Sequence, residues 1–149
     1  ALSSTTLSST NVRPRIVVEG GTAGNYAGTA GALLTCDGQP IQGLSWMTQD
    51  SYGIVNVRVF CPNSTFLDGT GDYNGQWGQQ VDCPVGFSSV NTWSQGGYGV
   101  VNVNMQCASS VDVVTGSSNF NGVLDGGFDP GSGYYVLAFS SQHRMGMGL

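Results

Sequence analysis

The sequence predicts an all-β domain of three four-stranded antiparallel sheets related by internal pseudo-threefold symmetry. A motif of an amide or acid, an aromatic ring, any residue and glycine occurs three times. Its copies are NYAG (25–28), DYNG (72–75) and NFNG (119–122), and successive copies lie 47 residues apart. A repeat of this length decides the architecture before any local feature does. Long stretches with apolar residues at helical spacing do not occur, whereas short alternating segments do.

Two of these alternating segments, YGIVNVRVFC (52–61) and YGVVNVNMQC (98–107), are copies of one predicted strand. In the first copy Val55, Val57 and Val59 point to one face and the polar residues Asn56 and Arg58 to the other, and the second copy alternates in the same way. One apolar face and one polar face are typical of an antiparallel strand packed on a core. Each repeated motif is then predicted to be a turn before a strand, with its glycine providing freedom in φ. Its aromatic ring either packs in the core or stacks on a ligand.

The 149 residues of the chain suit one domain with a core, covering residues 1–149. The predicted repeats cover about 16–61, 62–107 and 108–149, and one repeat has room for about four strands of ordinary length. The last repeat ends before its own second cysteine would occur. We therefore expect the N-terminal segment NVRPRIVV (11–18) to complete the last sheet and to limit its exposed edges.

The four cysteines allow three disulfide pairings, between which sequence alone does not choose. Pairing Cys36 with Cys61 and Cys83 with Cys107 treats two repeats alike, and each bridge would then stabilise the fold by roughly 3 kcal/mol. A zinc site is the alternative, but the chain has no CxxC motif and only His143 as a further ligand. We expect disulfides, no metal or other cofactor, and hence a secreted, extracellular protein.

Composition argues against two classes of partner. Only 9% of the residues are charged and the net charge is −5, so the basic surface of a nucleic-acid binder is missing. No apolar run approaches the roughly 18 residues of a membrane span. The polar start ALSSTTLSST predicts that any signal peptide has already been removed. The sequon Asn63-Ser64-Thr65 would be glycosylated only in a secretory pathway, and both states of Asn63 stay open here.

Three segments of the chain resemble the vitelline membrane outer layer protein I family: GQWGQQVDCPVGF (75–87), SQGGYGVVNVNMQC (94–107) and QDSYGIVNVRVFC (49–61). The resemblance implies a β-prism, in which three sheets are related by threefold symmetry and disulfides lie within repeats. FDPGSGYYVLAF (128–139) and EGGTAGN (19–25) are similar to two loops of the related jacalin-type lectins. In those lectins a glycine loop and an acidic loop lie side by side and form the monosaccharide site.

A sugar site is therefore expected at these two loops, although Leu137 stands where the jacalin-type lectins carry their sugar-binding aspartate. Such a site needs a carboxylate or amide, closely approaching backbone N–H groups and a flat ring for the C–H face of the sugar. We expect Asp129 to replace the missing acid, and only one of two adjacent tyrosines to stack. The predicted carbohydrate-binding residues are Gly20, Gly21, Asn25, Asp129, Gly131, Gly133, Tyr134 and Tyr135.

Threefold symmetry also permits a second site in the middle repeat. Trp77 is a candidate for this second site, but it is equally a candidate for the core, because a lone tryptophan in a small β domain is more often part of the core than of a binding site. The same repeat unit supplies an acid, two further rings and a glycine. The candidates for this second site are Asp72, Tyr73, Trp77, Gly86 and Phe87.

These features predict a secreted lectin without catalytic activity, whose partners are glycans or glycoproteins rather than nucleic acid or membrane. Several sites, or a homodimer, would let it crosslink glycans. One alternative is weak glycan transfer, which has been associated with the vitelline family. Transfer would need two carboxylates about 5–10 Å apart, whereas the nine acids are scattered among turns. The other alternative is a structural protein of an extracellular coat or matrix, which the sequence pI of about 4.2 would suit.

Overall fold

All regular structure described for this chain is β. The structure is a computed structural model that describes residues 2–9, 17–19, 29–49, 53–70, 75–95, 99–108, 113–116, 122–128 and 134–143. Every strand pair within these ranges is antiparallel, and the strands form three sheets. The predicted all-β class is therefore confirmed. None of the described residues forms a helix long and apolar enough to cross a membrane.

The strands are short, as expected for a chain rich in glycine and turn residues. In chain order they are β1 (Leu2–Ser9), β2 (Val17–Glu19), β3 (Thr29–Ala30), β4 (Leu34–Thr35), β5 (Gly43–Gln49), β6 (Gly53–Phe60), β7 (Phe66–Asp68), β8 (Gln76–Trp77), β9 (Val81–Asp82), β10 (Phe87–Gln95), β11 (Gly99–Cys107), β12 (Val113–Gly116), β13 (Val123–Phe128) and β14 (Tyr134–His143).

The three sheets contain five, five and four strands rather than the predicted four each. The first has the order β2–β1–β14, with β3 and β4 both pairing with the outer side of β14. The second has the order β7–β6–β5, with β8 and β9 both pairing with β5. The third has the order β12–β11–β10–β13. The outer strand is thus continuous in the third sheet and interrupted in the other two.

The interruption between β8 and β9 has a local cause. β8 ends at Trp77, but the N–H of the next residue, Gly78, still donates to the carbonyl of Trp46 at 2.8 Å. The Ser45 hydroxyl donates to the Gly78 carbonyl at 2.9 Å. A side chain from the central strand therefore takes the acceptor that a regular ladder would use, and the outer strand divides at that point.

The two ends of the chain share the first sheet. β1 pairs with β14 along most of its length, and β2 pairs with β1. Val17 and Val18, the end of the predicted segment 11–18, join this sheet in β2, and residues 11–16 lie outside the described residues. The strand directly beside β14 is the Ser/Thr-rich segment Leu2–Ser9. Sequence reasoning overlooked this segment because its serines and threonines carry almost no apolar alternation.

Both disulfides join neighbouring sheets. The structure contains Cys36–Cys61 and Cys83–Cys107, the pairing that the repeat favoured. Cys36 follows β4 of the first sheet and Cys61 follows β6 of the second; Cys83 follows β9 of the second sheet and Cys107 ends β11 of the third. The boundaries of the sheets therefore differ from those of the predicted repeats, because a disulfide that lies within one repeat connects two different sheets.

The apolar faces of the three sheets meet in one core. β6 contacts β11 and β14, and β10 contacts β14, so each sheet touches the other two. The indole of Trp46 packs edge-on against the ring of Phe139, with ring centres 6.4 Å apart, and this contact joins the second sheet to the first. The core cluster consists of Leu34, Cys36, Ile41, Leu44, Trp46, Ile54, Val57, Val59, Cys61, Cys83, Phe87, Val90, Val100, Val103, Met105, Val136 and Phe139.

A β-bulge changes which residues of β6 enter the core. The pairing passes from Met47–Asn56 to Thr48–Ile54, so Val55 is an extra residue without a partner in the ladder. The bulge turns Ile54 onto the core face beside Val57, where strict alternation would have turned it outward. The pairing of β10 with β11 skips Val101 in the same way.

Trp46 and Trp93 recur at the repeat interval but are not structurally equivalent. Trp46 pairs with Val57 and is 3% exposed, whereas Trp93 pairs with Asn102 and is half-buried. Thr92, one residue earlier, occupies the position equivalent to Trp46. The reason is that β10 and β11 follow β5 and β6 after 46 residues rather than 47, which exchanges the two faces of a strand.

Two of the repeated motif glycines lie directly on the backbone of a central strand. A Cβ at Gly75 would sit 2.5 Å from the carbonyl oxygen of Thr48, and one at Gly122 would sit 2.9 Å from that of Ser94. No side chain fits at such distances, so this close approach accounts for glycine at both positions. All other residues of the three motifs, 25–28, 72–74 and 119–121, lie outside the described residues.

We expect Gly75→Ala and Gly122→Ala each to lower the free energy of unfolding by about 1–3 kcal/mol, because the new methyl group must displace a backbone carbonyl. Urea unfolding with the disulfides intact measures this loss. Gly78→Ala is the comparison variant: its Cβ would lie 3.3 Å from the carbonyl oxygen of Trp46, so this neighbour needs to move by only a few tenths of an ångström and a smaller loss is expected. Equal losses in all three variants would contradict the proposed close approach.

Candidate functional site

Most of the first predicted sugar site, and part of the second, lie outside the described residues. Tyr134 is the first residue of β14, and His143 is the last. Tyr135, Trp77, Gly86 and Phe87 are described together with their surroundings. The predicted residues outside the described ranges are Gly20, Gly21, Asn25, Asp72, Tyr73, Asp129, Gly131 and Gly133.

Tyr135 from the first predicted site lies against Gly86 from the second. A Cβ at Gly86 would sit 2.9 Å from Cδ1 of Tyr135 and 3.0 Å from Cβ of Pro40. Gly86 has a φ of 98°, which glycine adopts without strain, and its N–H donates to the carbonyl of Cys83 at 2.7 Å. The glycine therefore lets the tyrosine ring pack on the turn, and the side of the ring that faces Gly86 is closed to a ligand.

Phe87 is a core residue rather than a binding residue. Its side chain is fully buried, at 0% exposure, within the common core of the three sheets. It opens β10 and occupies an inward position of that strand. A ring in this position cannot stack on a sugar at the surface, so its assignment to the second site is corrected.

Trp77 lies on the outward face of the second sheet. It pairs with Met47 across the β5–β8 ladder and is half-buried. The guanidinium carbon of Arg58 lies 4.2 Å from the centre of the Trp77 ring. The core interpretation of this tryptophan is therefore wrong, because the indole packs on a charged side chain at the surface of the sheet.

Arg58 is held between two aromatic rings. Its guanidinium carbon lies 4.5 Å from the centre of the Phe66 ring, in addition to its contact with Trp77. Phe66 in turn packs against Phe60, with ring centres 6.0 Å apart and planes inclined by 48°. We call Trp77, Arg58, Phe66 and Phe60 the aromatic face. More than half of Phe66, 53%, stays exposed to solvent.

A carboxylate fixes the orientation of Arg58. The Nε and Nη2 groups of Arg58 donate to the two carboxylate oxygens of Asp68 at 2.6 and 3.0 Å. The hydrogen bonds to Asp68 raise the pKa of Arg58 above its usual value, with partial burial opposing the shift. This two-point pairing orients the guanidinium, whose carbon lies over both rings.

A second carboxylate lies at the Phe60 end of the aromatic face. A Cβ at Gly43 would meet Oδ1 of Asp82 at 2.8 Å and Cβ of Phe60 at 3.0 Å, so both side chains lie over Gly43. The Gln80 amide donates to Oδ1 of Asp82 at 2.6 Å. The outward face of the second sheet thus combines exposed rings with two carboxylates and an amide.

A cleft of about 220 Å³ lies on the opposite side of β7. Leu67 lines it, because successive side chains of a strand point to opposite faces and those of Phe66 and Asp68 point towards Arg58. The volume is below the about 300–1,000 Å³ of ordinary small-molecule sites. Its other lining residues include the disulfide cysteines Cys36 and Cys61, the turn residues Asp37 and Gln39, and Pro62 and Asn63.

Sequence reasoning identified one member of the aromatic face, Trp77, and missed the other three. Alternation in β6 did predict that Arg58 points outward, but it gave the residue no role. The missed signal was Phe60, which shares the outward face with Arg58 although that face of an antiparallel sheet is normally polar. An apolar ring at such a position is informative only once its neighbours across the sheet are known.

The described residues contain no group of three or more His, Cys, Asp or Glu side chains that could hold a metal ion. No family model matches the chain, and no curated protein matches it. The chemistry of the aromatic face therefore carries the functional argument.

We expect Arg58→Lys to destabilise the protein by about 1–2 kcal/mol, because lysine keeps the charge but loses the planar contact with both rings. Thermal unfolding at low and high salt measures the loss. Asp68→Asn is the matched control: it removes a partly exposed ion pair, which is worth about 0–1 kcal/mol and is screened by salt. If the two variants lost the same stability, and salt abolished both losses, the ring contacts would contribute nothing.

Proposed function

We propose that the protein is a secreted carbohydrate-binding protein and that the aromatic face of its second sheet is a sugar-binding surface. The observation that carries this proposal is Phe66, a ring that is 53% exposed yet is held by the fixed guanidinium of Arg58. A sugar presents an apolar C–H face that packs on such a ring. Because the ring is already held in place, little side-chain entropy is lost on binding.

The polar groups around Phe66 match the hydroxyl groups of a sugar. Asp68 accepts two hydrogen bonds from Arg58, and a carboxylate has about four acceptor positions, so Asp68 retains capacity for a sugar hydroxyl. Asp82 and Gln80 supply a further acceptor and an amide at the Phe60 end of the face. An apolar ring beside a few oriented polar groups is the composition expected of a ligand site.

Two disulfides support the secreted location, because such bonds persist in oxidising compartments. The expected partners are glycans or glycoproteins. The net charge of −5 disfavours polyanionic partners such as nucleic acids. A homodimer would place two aromatic faces on one particle and raise the avidity for a multivalent glycan.

The three sheets of this protein form a β-prism in this proposal. Support comes from the outer strands: β3 with β4, β8 with β9, and the single strand β13 follow one another at the repeat interval and each pair with a central strand. Contacts of each sheet with both others also fit three sheets around one axis. The loop site predicted around Asp129 would then be a second sugar site at one end of the prism.

A glycan array followed by titration of the bound sugar tests this function. Phe66→Ala should weaken binding about tenfold, or about 1.4 kcal/mol, because the sugar loses its stacking surface. Leu67→Ala is the matched control, since Leu67 is exposed on the same strand but faces the cleft. Its affinity should equal that of the unmodified protein.

Three further results would relocate or replace the proposal. If Asp129→Ala abolished binding while Phe66→Ala left it unchanged, the sugar site would lie at the predicted loops instead. A protein that bound no glycan but partitioned into an insoluble extracellular matrix would be a structural component. New chain lengths after incubation with chitin oligomers would indicate glycan transfer.

A further inference from the structure

The segment Asn63-Ser64-Thr65 forms a tight, exposed turn between β6 and β7. The N–H of Ser64 donates to the carbonyl of Cys61 at 3.1 Å, and the N–H of Cys61 donates to the carbonyl of Thr65 at 2.9 Å. Pro62 follows Cys61, and Ser64 has a φ of 67°. This is the three-residue hairpin loop in which a turn is followed by one left-handed residue.

The side chain of Asn63 has a defined orientation in this turn. Its Oδ1 accepts hydrogen bonds from the Thr65 hydroxyl at 2.6 Å and from the Thr65 N–H at 3.2 Å. Both bonds use the oxygen, so the Nδ2 end of the amide faces away from the turn. All three residues of the segment are exposed. The amide nitrogen is therefore presented to solvent by the threonine that completes the acceptor sequence Asn-x-Thr.

We propose that Asn63 carries an N-linked oligosaccharide. The disulfides supply a second observation, because a chain that forms them passes through an oxidising compartment. In that compartment the donor is an oligosaccharide linked to a polyisoprenyl diphosphate. The Asn63 nitrogen bonds to the anomeric carbon, and the bond from that carbon to the phosphate oxygen breaks. The lipid diphosphate leaves with the electron pair, and the amide proton passes to a base of the transferase.

The position of Asn63 also determines which surface the oligosaccharide covers. Asn63 and Pro62 line the cleft of about 220 Å³, together with Leu67 and Asp37. The first sugars attached to Asn63 therefore lie over this cleft and shield Leu67, which is 38% exposed. Phe66 projects from the opposite side of β7, so the aromatic face stays accessible.

The full chain, secreted from a eukaryotic cell line behind a cleavable signal peptide, tests the modification. Treatment with peptide N-glycosidase should remove one oligosaccharide mass and convert Asn63 to aspartate, which peptide mass spectrometry detects. Asn63→Gln and Thr65→Ala should each abolish the mass shift. Ser64→Gly is the matched control, because it keeps the acceptor sequence and suits the left-handed φ at position 64.

A secreted protein with both disulfides formed and an unmodified Asn63 would overturn the proposal. The two variants remove different groups: Asn63→Gln removes the acceptor amide, and Thr65→Ala removes the hydroxyl that holds the Asn63 side chain. Loss of the mass shift in both, with both variants secreted, therefore reflects lost glycosylation and not a folding defect. The result is independent of the proposed sugar binding, which unglycosylated protein refolded with its disulfides can test separately. A glycosylated Asn63 in a protein that binds no glycan on the array would refute only the proposed sugar binding. An unmodified Asn63 in a protein that does bind would refute only the proposed glycosylation.

Discussion

Each sheet of this protein has one apolar face, and none of the three sheets can bury that face without the other two. A sheet of four or five short strands exposes too much apolar surface to be stable alone. The contact of Trp46 with Phe139 illustrates the solution, because a ring from the second sheet packs edge-on against a ring from the first. The disulfides reinforce the same constraint, since each one joins two neighbouring sheets at their ends.

The shared core also determines the chemistry of the outer surface. With the inward residues of β5 and β6 committed to packing, only the outward residues are available for binding, and Arg58 is one of these. The interruption of the outer strand after Trp77 leaves its indole at the edge of the sheet, within reach of Arg58. Backbone geometry that serves packing therefore also brings the aromatic face together.

The three-residue strand β7 separates two surfaces with different properties. Phe66 and Asp68 project towards Arg58, whereas Leu67 lines the cleft beside the Cys36–Cys61 disulfide. A strand places alternate side chains on opposite faces, so these two surfaces lie next to each other in sequence without sharing side chains. In our proposals one surface binds external sugar and the other is covered by the oligosaccharide of the protein itself.

Patterns in the amino-acid sequence were enough to predict the all-β class and the antiparallel strands β6 and β11, and the repeat favoured the observed disulfide pairing without excluding the other two. These features depend on alternation and on a repeat, both of which are local or periodic properties of the chain. Alternation also predicted the outward direction of Arg58, and the repeat identified Gly75 and Gly122 as special positions. It did not give the reason for these glycines, which lies in the carbonyls of Thr48 and Ser94.

The strand order, the bulge that brings Ile54 into the core, and the exchange of faces between Trp46 and Trp93 became visible only in the folded chain. The aromatic face belongs to the same group, because Trp77, Arg58 and Phe66 come from three strands whose adjacency no local pattern records. The physical reason is that sequence fixes the period of a strand, whereas a one-residue shift in pairing changes every partner across the sheet.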